Sequence, residues 1–453
     1  MYNVSMRFYV ETFGCQMNVA DSLEMGRRLR ARGCRATQNL DLADIVLVNS
    51  CTVRDHAEHK ALSFLGRLAD WRDASPKRLL IFAGCAAERL KDRLAHRFPQ
   101  VDLVAGAKSI ADFDRLLEDR LPPISFDGKQ EWVDAWGWAP GLGEMGLPGE
   151  GVTAFVTTMR GCNYACTYCV VPAVRGRELY RPAASILAEV RERAAKGQRE
   201  ILLLGQTVNS YRPSGENVLS TGQDIRDFSD LLEMVDHVPE VARVRFMSPH
   251  PFSVDDRFAE TFGRLNRAAP HIHLPVQSGS DAVLGRMRRN YTRGEFVRKV
   301  DLLRRHRSGL AITTDFIVGF PGETEADFQA TLRLGQEADL DGAYTFKYSP
   351  RPGTVSAQGV DDVPDDVKEE RLARLMEETD TRSRKKLAAL VGQRQEVLIE
   401  SVRADGKAFA LEGRTAHSRK IYASSVEKYS AGEVVSVRVD RADGKTLYGA
   451  VVG

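Results

Sequence analysis

No stretch of this 453-residue chain approaches the roughly 18 consecutive apolar residues that a membrane span requires. Met1 to Val10 alternates polar and apolar side chains and offers no uninterrupted apolar centre for a signal peptide, so the expected compartment is the cytoplasm, with no membrane partner. Neither sign of charge is in excess. A formal net charge of +2 argues neither for nor against nucleic acid and leaves any RNA-binding surface to local clustering. Cysteine is scarce, with seven in the chain. Cytoplasmic thiols stay reduced, which argues against disulfides and points to ligands, catalytic thiols or buried structural residues. No long repeat or low-complexity tract is present. What remains is an ordinary globular balance, 43% hydrophobic and 28% charged, in a chain long enough for about two to three domains.

Strand and helix patterns divide the chain into three pieces and a linker. The first, 6–122, carries short β-rich or apolar runs at Arg7–Thr12, Ile45–Val48 and Leu79–Phe82. Apolar strands separated by helices predict a parallel α/β sheet covered on both faces. Its first helix is expected to start on a capping box of Asp21 and Glu24, bury Leu23, Met25 and Leu29, and stop at Gly33. Residues 123–147, where Pro140, Gly141 and Gly143 sit among Trp132, Trp136 and Trp138, read as a linker. The piece 148–381 offers six candidate strands: Thr153–Thr157, Glu200–Leu204, Arg243–Phe246, His271–Leu274, Ala311–Ile317 and Gly342–Phe346. With helical stretches such as Ala184–Lys196 between them, six βα units predict a partial (β/α)6 barrel. The last piece, 384–452, has candidate strands at Gln395–Ser401, Ala408–Glu412, Glu433–Val439 and Thr446–Val451, joined by turns such as Asp405-Gly406. It reads as a small antiparallel β-barrel, with Arg403, Arg414, Arg419, Lys420, Lys428, Arg438 and Arg441 as a local basic complement.

The cysteines carry the chemistry. Cys162, Cys166 and Cys169 form C-x3-C-x2-C in a loop after the first strand of the βα array. Three thiolates so spaced suit one corner of a cubane iron–sulfur cluster, leaving the fourth iron to a small molecule. The competing reading is a zinc site, which wants a fourth ligand that is not adjacent. Cys15, Cys51 and Cys85 each follow a candidate strand and so belong at the carboxyl rim of a parallel sheet, where ligands bind. Cys34 follows Gly33 at a helix end and belongs on the opposite rim, as a buried structural thiol.

These motifs resemble the radical S-adenosylmethionine superfamily and, within it, the methylthiotransferases. Glu11–Ser22, Val48–Lys60 and Gly84–Leu90 resemble that family's amino-terminal domain. Arg160–Glu178, Leu203–Tyr211, His271–Asp281 and Phe316–Phe328 resemble its radical domain, and Gly413–Tyr422 its carboxy-terminal TRAM domain. Cys15-Gln16-Met17-Asn18 is similar to the MiaB-type branch, which modifies isopentenyl-adenosine beside the tRNA anticodon, at position 37. The chain departs from the pattern at Met247-Ser248-Pro249-His250-Pro251, which has an extra proline, and at Ala269-Pro270.

The resemblance implies two [4Fe-4S] clusters, on Cys15, Cys51 and Cys85 and on Cys162, Cys166 and Cys169. It also implies two uses of S-adenosylmethionine, as methyl donor to sulfur and as radical source, ending in a methylthio group on carbon 2 of adenine. The alternatives are a threonylcarbamoyl-adenosine or ribosomal-protein target and, outside enzymes, an RNA-binding iron–sulfur protein. Partners on this reading are the tRNA anticodon stem-loop, a low-potential electron donor such as flavodoxin or ferredoxin, and sulfur- or cluster-delivery proteins. For the cofactor, Tyr168 suits stacking or plain packing. Gln206, Asn209, Gln277 and Ser278 lie past strand ends, and Gly319 and Gly322 form a backbone-accessible loop. Arg175 and Arg177 suit substrate phosphate, a cofactor carboxylate or surface ion pairs, and Arg414 suits RNA phosphate.

Overall fold

The computed structural model describes residues 6–53, 55–121, 151–213 and 224–452. The expected linker 123–147 lies outside them. The chain separates into two compact units that exchange segments along the sequence. The first comprises Met1–Glu150, Phe155–Asn163 and Val170–Arg181. The second comprises Gly151–Ala154, Tyr164–Cys169 and Pro182–Gly453.

In the first unit, five strands, β1 (Arg7–Phe13), β2 (Arg35–Ala36), β3 (Ile45–Ser50), β4 (Leu79–Gly84) and β5 (Leu103–Gly106), pair in parallel in the order β2-β1-β3-β4-β5. Every residue of β3 and β4 is buried, as near-continuous apolar runs covered on both faces require. The helices are α1 (Gln16–Ala31), α2 (Asp55–Arg67), α3 (Ala69–Asp73), α4 (Cys85–Arg97), α5 (Phe113–Leu117) and α6 (Val171–Arg175). One core layer gathers Phe8, Met25, Leu29, Leu47 and Ile81; the other gathers Val46, Val48, Leu65 and Phe82. Phe82 is fully buried in the second. Phe82→Ala is therefore expected to lower the unfolding free energy by about 3–5 kcal/mol, read from urea denaturation.

The expected start of the first helix needs correction. Helix α1 begins at Gln16, directly after β1, with Cys15 at its N-cap position and no side-chain cap. Asp21 and Glu24 lie inside it and are 1% and 2% exposed. Arginines from elsewhere in the unit neutralise them, so the spacing that reads as a capping box serves buried ion pairs instead. The end is as expected, with Gly33 at φ +83° after the last turn.

The barrel strands are β6 (Thr153–Thr157), whose residues are divided between the two units, and, in the second unit, β9 (Glu200–Leu204), β10 (Arg243–Phe246), β11 (His271–His273), β12 (Ala311–Val318) and β13 (Gly342–Lys347). Two short strands, β7 (Met159–Arg160) and β8 (Leu179–Tyr180), pair antiparallel across the base of the cysteine loop in the first unit. The six strands fall into two three-stranded sheets, β10-β9-β6 and β11-β12-β13. The first sheet continues toward the second through a parallel bridge between Val244 and Ala268, just before β11. Successive strands are thus neighbours, with helices such as Ala183–Ala195, Phe228–Asp236 and Glu325–Glu337 between them.

A 24-residue helix, Asp365–Ala388, leads into a closed barrel of β14 (Arg394–Asp405), β15 (Ala408–Thr415), β16 (Lys420–Ser425), β17 (Val434–Asp443) and β18 (Thr446–Val451). Its core is Val397, Ile399, Leu411, Ile421, Val437 and Leu447. The purely antiparallel expectation is corrected here. Strand β16, whose Lys-Ile-Tyr-Ala-Ser-Ser sequence falls between the expected strands, pairs antiparallel with β15 but parallel with β18, and that pairing belongs to the closed ring. Among the described residues no helix is long and apolar enough to cross a membrane.

Candidate functional site

Strands β1, β3 and β4 are neighbours, and each is followed within two residues by a cysteine. Cys15 follows β1, Cys51 follows β3 with its N–H donating to Phe13 O at 2.8 Å, and Cys85 opens α4 directly after β4. Cys51 and Cys85 are buried and Cys15 is half-buried. Hydrogen bonding between Cys51 and Cys15 pulls the Cys15 thiol down to about 6 and pushes the Cys51 thiol up. Burial pushes Cys85 up, and it lies within electrostatic reach of Cys15.

A buried amide network underpins this rim. Asn18 Nδ2 donates to Asn49 Oδ1 at 3.1 Å, and Asn49 Nδ2 donates to Asn18 O at 2.8 Å and Ser22 Oγ at 2.9 Å. Cys15 Sγ donates to Asn18 Oδ1 at 3.3 Å. Gly84, at φ +92°, has no room for a side chain, since a Cβ there would lie 2.1 Å from Asn49 Oδ1. Asn18 and Asn49 stand beside the cysteines in sequence, but only their pairing across α1 and β3 marks them as part of the site. Cys34 sits apart, before β2 in the core, where burial pushes its thiol up to about 11.

Two arginines that flank the other cysteine loop enter the same unit. Arg175, at the end of α6, is buried rather than facing substrate phosphate. Its Nε donates to Cys85 Sγ at 3.1 Å and its Nη2 to Asp21 at 2.6 Å. Arg160 pairs with Glu24, which also accepts from Arg28 at 3.2 Å. Arg177 is exposed, and its carbonyl closes the base of the loop. A Cβ on Gly161, at φ +79°, would lie 2.1 Å from Arg177 O, and Cys162 N–H donates to Gly176 O at 3.1 Å. The ascending and descending limbs of the loop are thereby clamped.

Within that loop, in the second unit, Cys169 N–H donates to Cys166 O at 3.1 Å and Thr167 Oγ1 donates to Arg286 O at 2.9 Å. Arg289, not identified from sequence, brings Nη1 to 3.5 Å from Cys166 Sγ. Its Nη2 donates to Pro275 O at 2.7 Å and its Nε to Tyr291 Oη at 2.7 Å. Tyr168 packs edge-on against Phe320, with ring centroids 6.5 Å apart, among Val283, Met287 and Tyr348.

The remaining expected cofactor residues divide by what their side chains already do. Asn209 is committed to His250, donating to its carbonyl at 3.0 Å and accepting its N–H at 2.7 Å. Ser278 Oγ contacts Thr331 Oγ1 at 3.3 Å, away from strand ends and onto the helix Glu325–Glu337. Gln277 takes φ +78° while its backbone pairs with Asp315 and Ile317. Gly319 and Gly322 both have positive φ, and the stem of Lys368 lies over Gly319, 2.2 Å from where its Cβ would be. Gln206 keeps a buried Oε1 that no described group satisfies.

His250 was also missed. It stacks on Tyr164 of the cysteine loop, centroids 3.8 Å apart, and burial holds its imidazole down at about 2. Its Nδ1 accepts from Phe252 N–H at 3.3 Å, which places the proton on Nε2, a buried donor without a partner among the described residues. The sequence marks its Ser-Pro-His-Pro stretch only as a departure from the family pattern, and Ser248 there takes φ +59°.

The barrel's basic residues are mostly paired with nearby carboxylates. Arg414 meets Glu400 at 3.0 Å, Arg419 meets Asp341 at 2.8 Å and Lys420 meets Glu412 at 2.8 Å. Arg438 and Arg441 meet Asp440 and Asp443. Arg403 and Lys428 stand outside these pairs.

The donor sets suit iron–sulfur chemistry: soft thiols, one guanidinium within hydrogen-bonding reach of each set, and deep burial of Cys51 and Cys85. Among the described residues no three His, Cys, Asp or Glu side chains are grouped closely enough to hold one metal ion. A cubane instead spreads its thiolates over separate irons. The orphan Gln206 Oε1 is an acceptor and the orphan His250 Nε2–H a donor, and neither has a partner among the described residues.

Comparison with known proteins agrees with this chemistry. Residues 156–335 match the family model described as the Radical SAM superfamily, and residues 7–106 match one described as Uncharacterized protein family UPF0004. A tRNA-2-methylthio-N(6)-dimethylallyladenosine synthase of Sorangium cellulosum is 41% identical, with 97% of this chain and 92% of the relative covered. Proteins of the same name from Anaeromyxobacter dehalogenans and Caldicellulosiruptor saccharolyticus are 41% and 38% identical, each over 98% of this chain and 94% and 92% of their own lengths. Among solved structures, the radical S-adenosylmethionine methyltransferase TsrM from Kitasatospora setae, with cobalamin and a [4Fe-4S] cluster bound, shares the fold. It superposes with a TM-score of 0.55 at 15% identity, covering 78% of this chain and 77% of that one.

Proposed function

The chain belongs to the family of tRNA-2-methylthio-N(6)-dimethylallyladenosine synthases, and from that premise we propose that it adds a methylthio group to carbon 2 of dimethylallyl-adenosine (isopentenyl-adenosine) at tRNA position 37. The reaction uses S-adenosylmethionine as both methyl donor and radical source. The observation that carries this reading is the convergence of Cys15, Cys51 and Cys85 on three adjacent strand ends, in a chain that also holds the radical triplet. When bound, one cluster supplies the electron that cleaves S-adenosylmethionine and the other supplies sulfur. Cys162, Cys166 and Cys169 would hold the first and Cys15, Cys51 and Cys85 the second. Gln206 and His250 would orient the amino acid end of S-adenosylmethionine, and Tyr168 and the Gly319–Gly322 loop would line the rest of its site. Arg289 would hold negative charge at Cys166.

We assign the three pieces 6–122, 148–381 and 384–452 to sulfur chemistry, radical chemistry and RNA binding, the last as a TRAM-type barrel. A low-potential donor such as flavodoxin or ferredoxin would reduce the clusters, sulfur- and cluster-delivery proteins would replenish them, and the cytoplasm would supply tRNA and keep the thiols reduced. On the barrel, Arg414 would exchange Glu400 for a phosphate, a half-buried pairing of modest cost to open. Among the described residues, Arg403 and Lys428 have no ion-pair partner to exchange. Replacing both with alanine is expected to weaken tRNA binding and lower its salt slope by roughly 1.4, at about 0.7 per lost phosphate contact on single strands. An unchanged slope in a binding titration against salt would remove the barrel from the RNA interface.

A further inference from the structure

Helix α1, which Cys15 caps, receives both arginines that bracket the radical cysteine loop: Arg160 on Glu24 and Arg175 on Asp21. All four side chains are buried. Arg175 goes further, because its Nε donates to Cys85 Sγ at 3.1 Å while Nη2 is held by Asp21 at 2.6 Å. Its Nη1 is buried with no partner among the described residues, as is Asp21 Oδ1. A guanidinium is planar, so fixing two of its nitrogens fixes where the third one's hydrogens point. The guanidinium that carries this orphan donor lies against Cys85 and within electrostatic reach of Cys15, where anionic sulfur is the acceptor class this chemistry provides.

We infer that Arg175 is the positioning residue of the amino-terminal sulfur site. Its Nε–H holds the Cys85 thiolate, its Nη1–H holds inorganic or transferable sulfur on the cluster, and Asp21 sets the plane of the guanidinium. This rests on the reading that a cluster occupies Cys15, Cys51 and Cys85. Hydrogen bonds and positive charge at cluster sulfurs stabilise the reduced, more negative state, so Arg175 raises the potential of this cluster and Asp21 lowers it. A lysine at 175 would keep the charge but cannot span Cys85 and Asp21 with one planar fork.

The test uses the full-length chain with Cys162, Cys166 and Cys169 all replaced by alanine, reconstituted anaerobically, so that any cluster present is the amino-terminal one. Iron content and an EPR-monitored redox titration are then compared across Arg175→Gln, Arg175→Lys and Asp21→Asn added to that background. The expected result is a more negative midpoint in the Arg175→Gln variant, a smaller negative shift in Arg175→Lys, and a positive shift in Asp21→Asn. No iron in the parent triple variant would overturn the two-cluster reading itself and the inference with it. With the parent loaded, unchanged midpoints, shifts of one sign in Arg175→Gln and Asp21→Asn, or loss of iron from both would overturn the role of Arg175 alone.

Discussion

Replacing Cys162, Cys166 and Cys169 together with alanine is expected, on the proposal that each cysteine triplet holds one cubane, to remove about half the bound iron and to abolish reductive cleavage of S-adenosylmethionine. Cys34→Ala is expected to change neither, because Cys34 lies in the core before β2, away from the rim where Cys15, Cys51 and Cys85 meet. Cys51→Ala separates the two sites. It leaves the radical loop intact, so cleavage of S-adenosylmethionine persists, yet methylthio product disappears with the sulfur source. Iron analysis and quantitation of 5′-deoxyadenosine read both effects. Iron loss in Cys34→Ala equal to that of the triple variant would overturn the assignment, as would normal product from a chain lacking Cys15, Cys51 and Cys85.

The second large effect concerns substrate. Prenylated tRNA is expected to react far better than tRNA with a bare adenosine at the same position. Burying five prenyl carbons contributes up to about 4 kcal/mol, at roughly 0.8 kcal/mol per methylene-sized group. Even half of that, about 2 kcal/mol, corresponds to roughly 30-fold in kcat/KM. An anticodon-loop adenosine is already single-stranded, so unstacking it costs at most a few kcal/mol and does not erase the preference. Equal kcat/KM on the two tRNAs would show that no apolar pocket reads the prenyl group.

Much of this was legible because the governing signals are local. All six barrel strands fall within a residue or so of their predicted bounds, since apolar runs of that length flanked by helical periodicity leave little choice. The cysteine placement followed from the same logic, each one standing just past a strand. What was illegible depends on partners distant in sequence. Asp21 and Glu24 mimic a capping box, and only Arg175 and Arg160, more than a hundred residues on, reveal them as buried ion pairs. Arg175 itself reads as a surface phosphate ligand until Cys85 and Asp21 are seen against it. Asn209 reads as a cofactor ligand until both its amide groups are found on His250. Strand β16 carries only two strongly apolar positions in six and is made a strand by its neighbours β15 and β18.

Mass spectrometry of tRNA nucleosides tests the central claim most directly. Anaerobically reconstituted protein, S-adenosylmethionine and a low-potential reductant are incubated with prenylated, unmodified and threonylcarbamoylated tRNA under the same conditions. The expected result is 2-methylthio-N6-dimethylallyladenosine from the prenylated tRNA in highest yield. A highest yield from threonylcarbamoylated tRNA, or no methylthio nucleoside from any of the three with both clusters loaded, would contradict it.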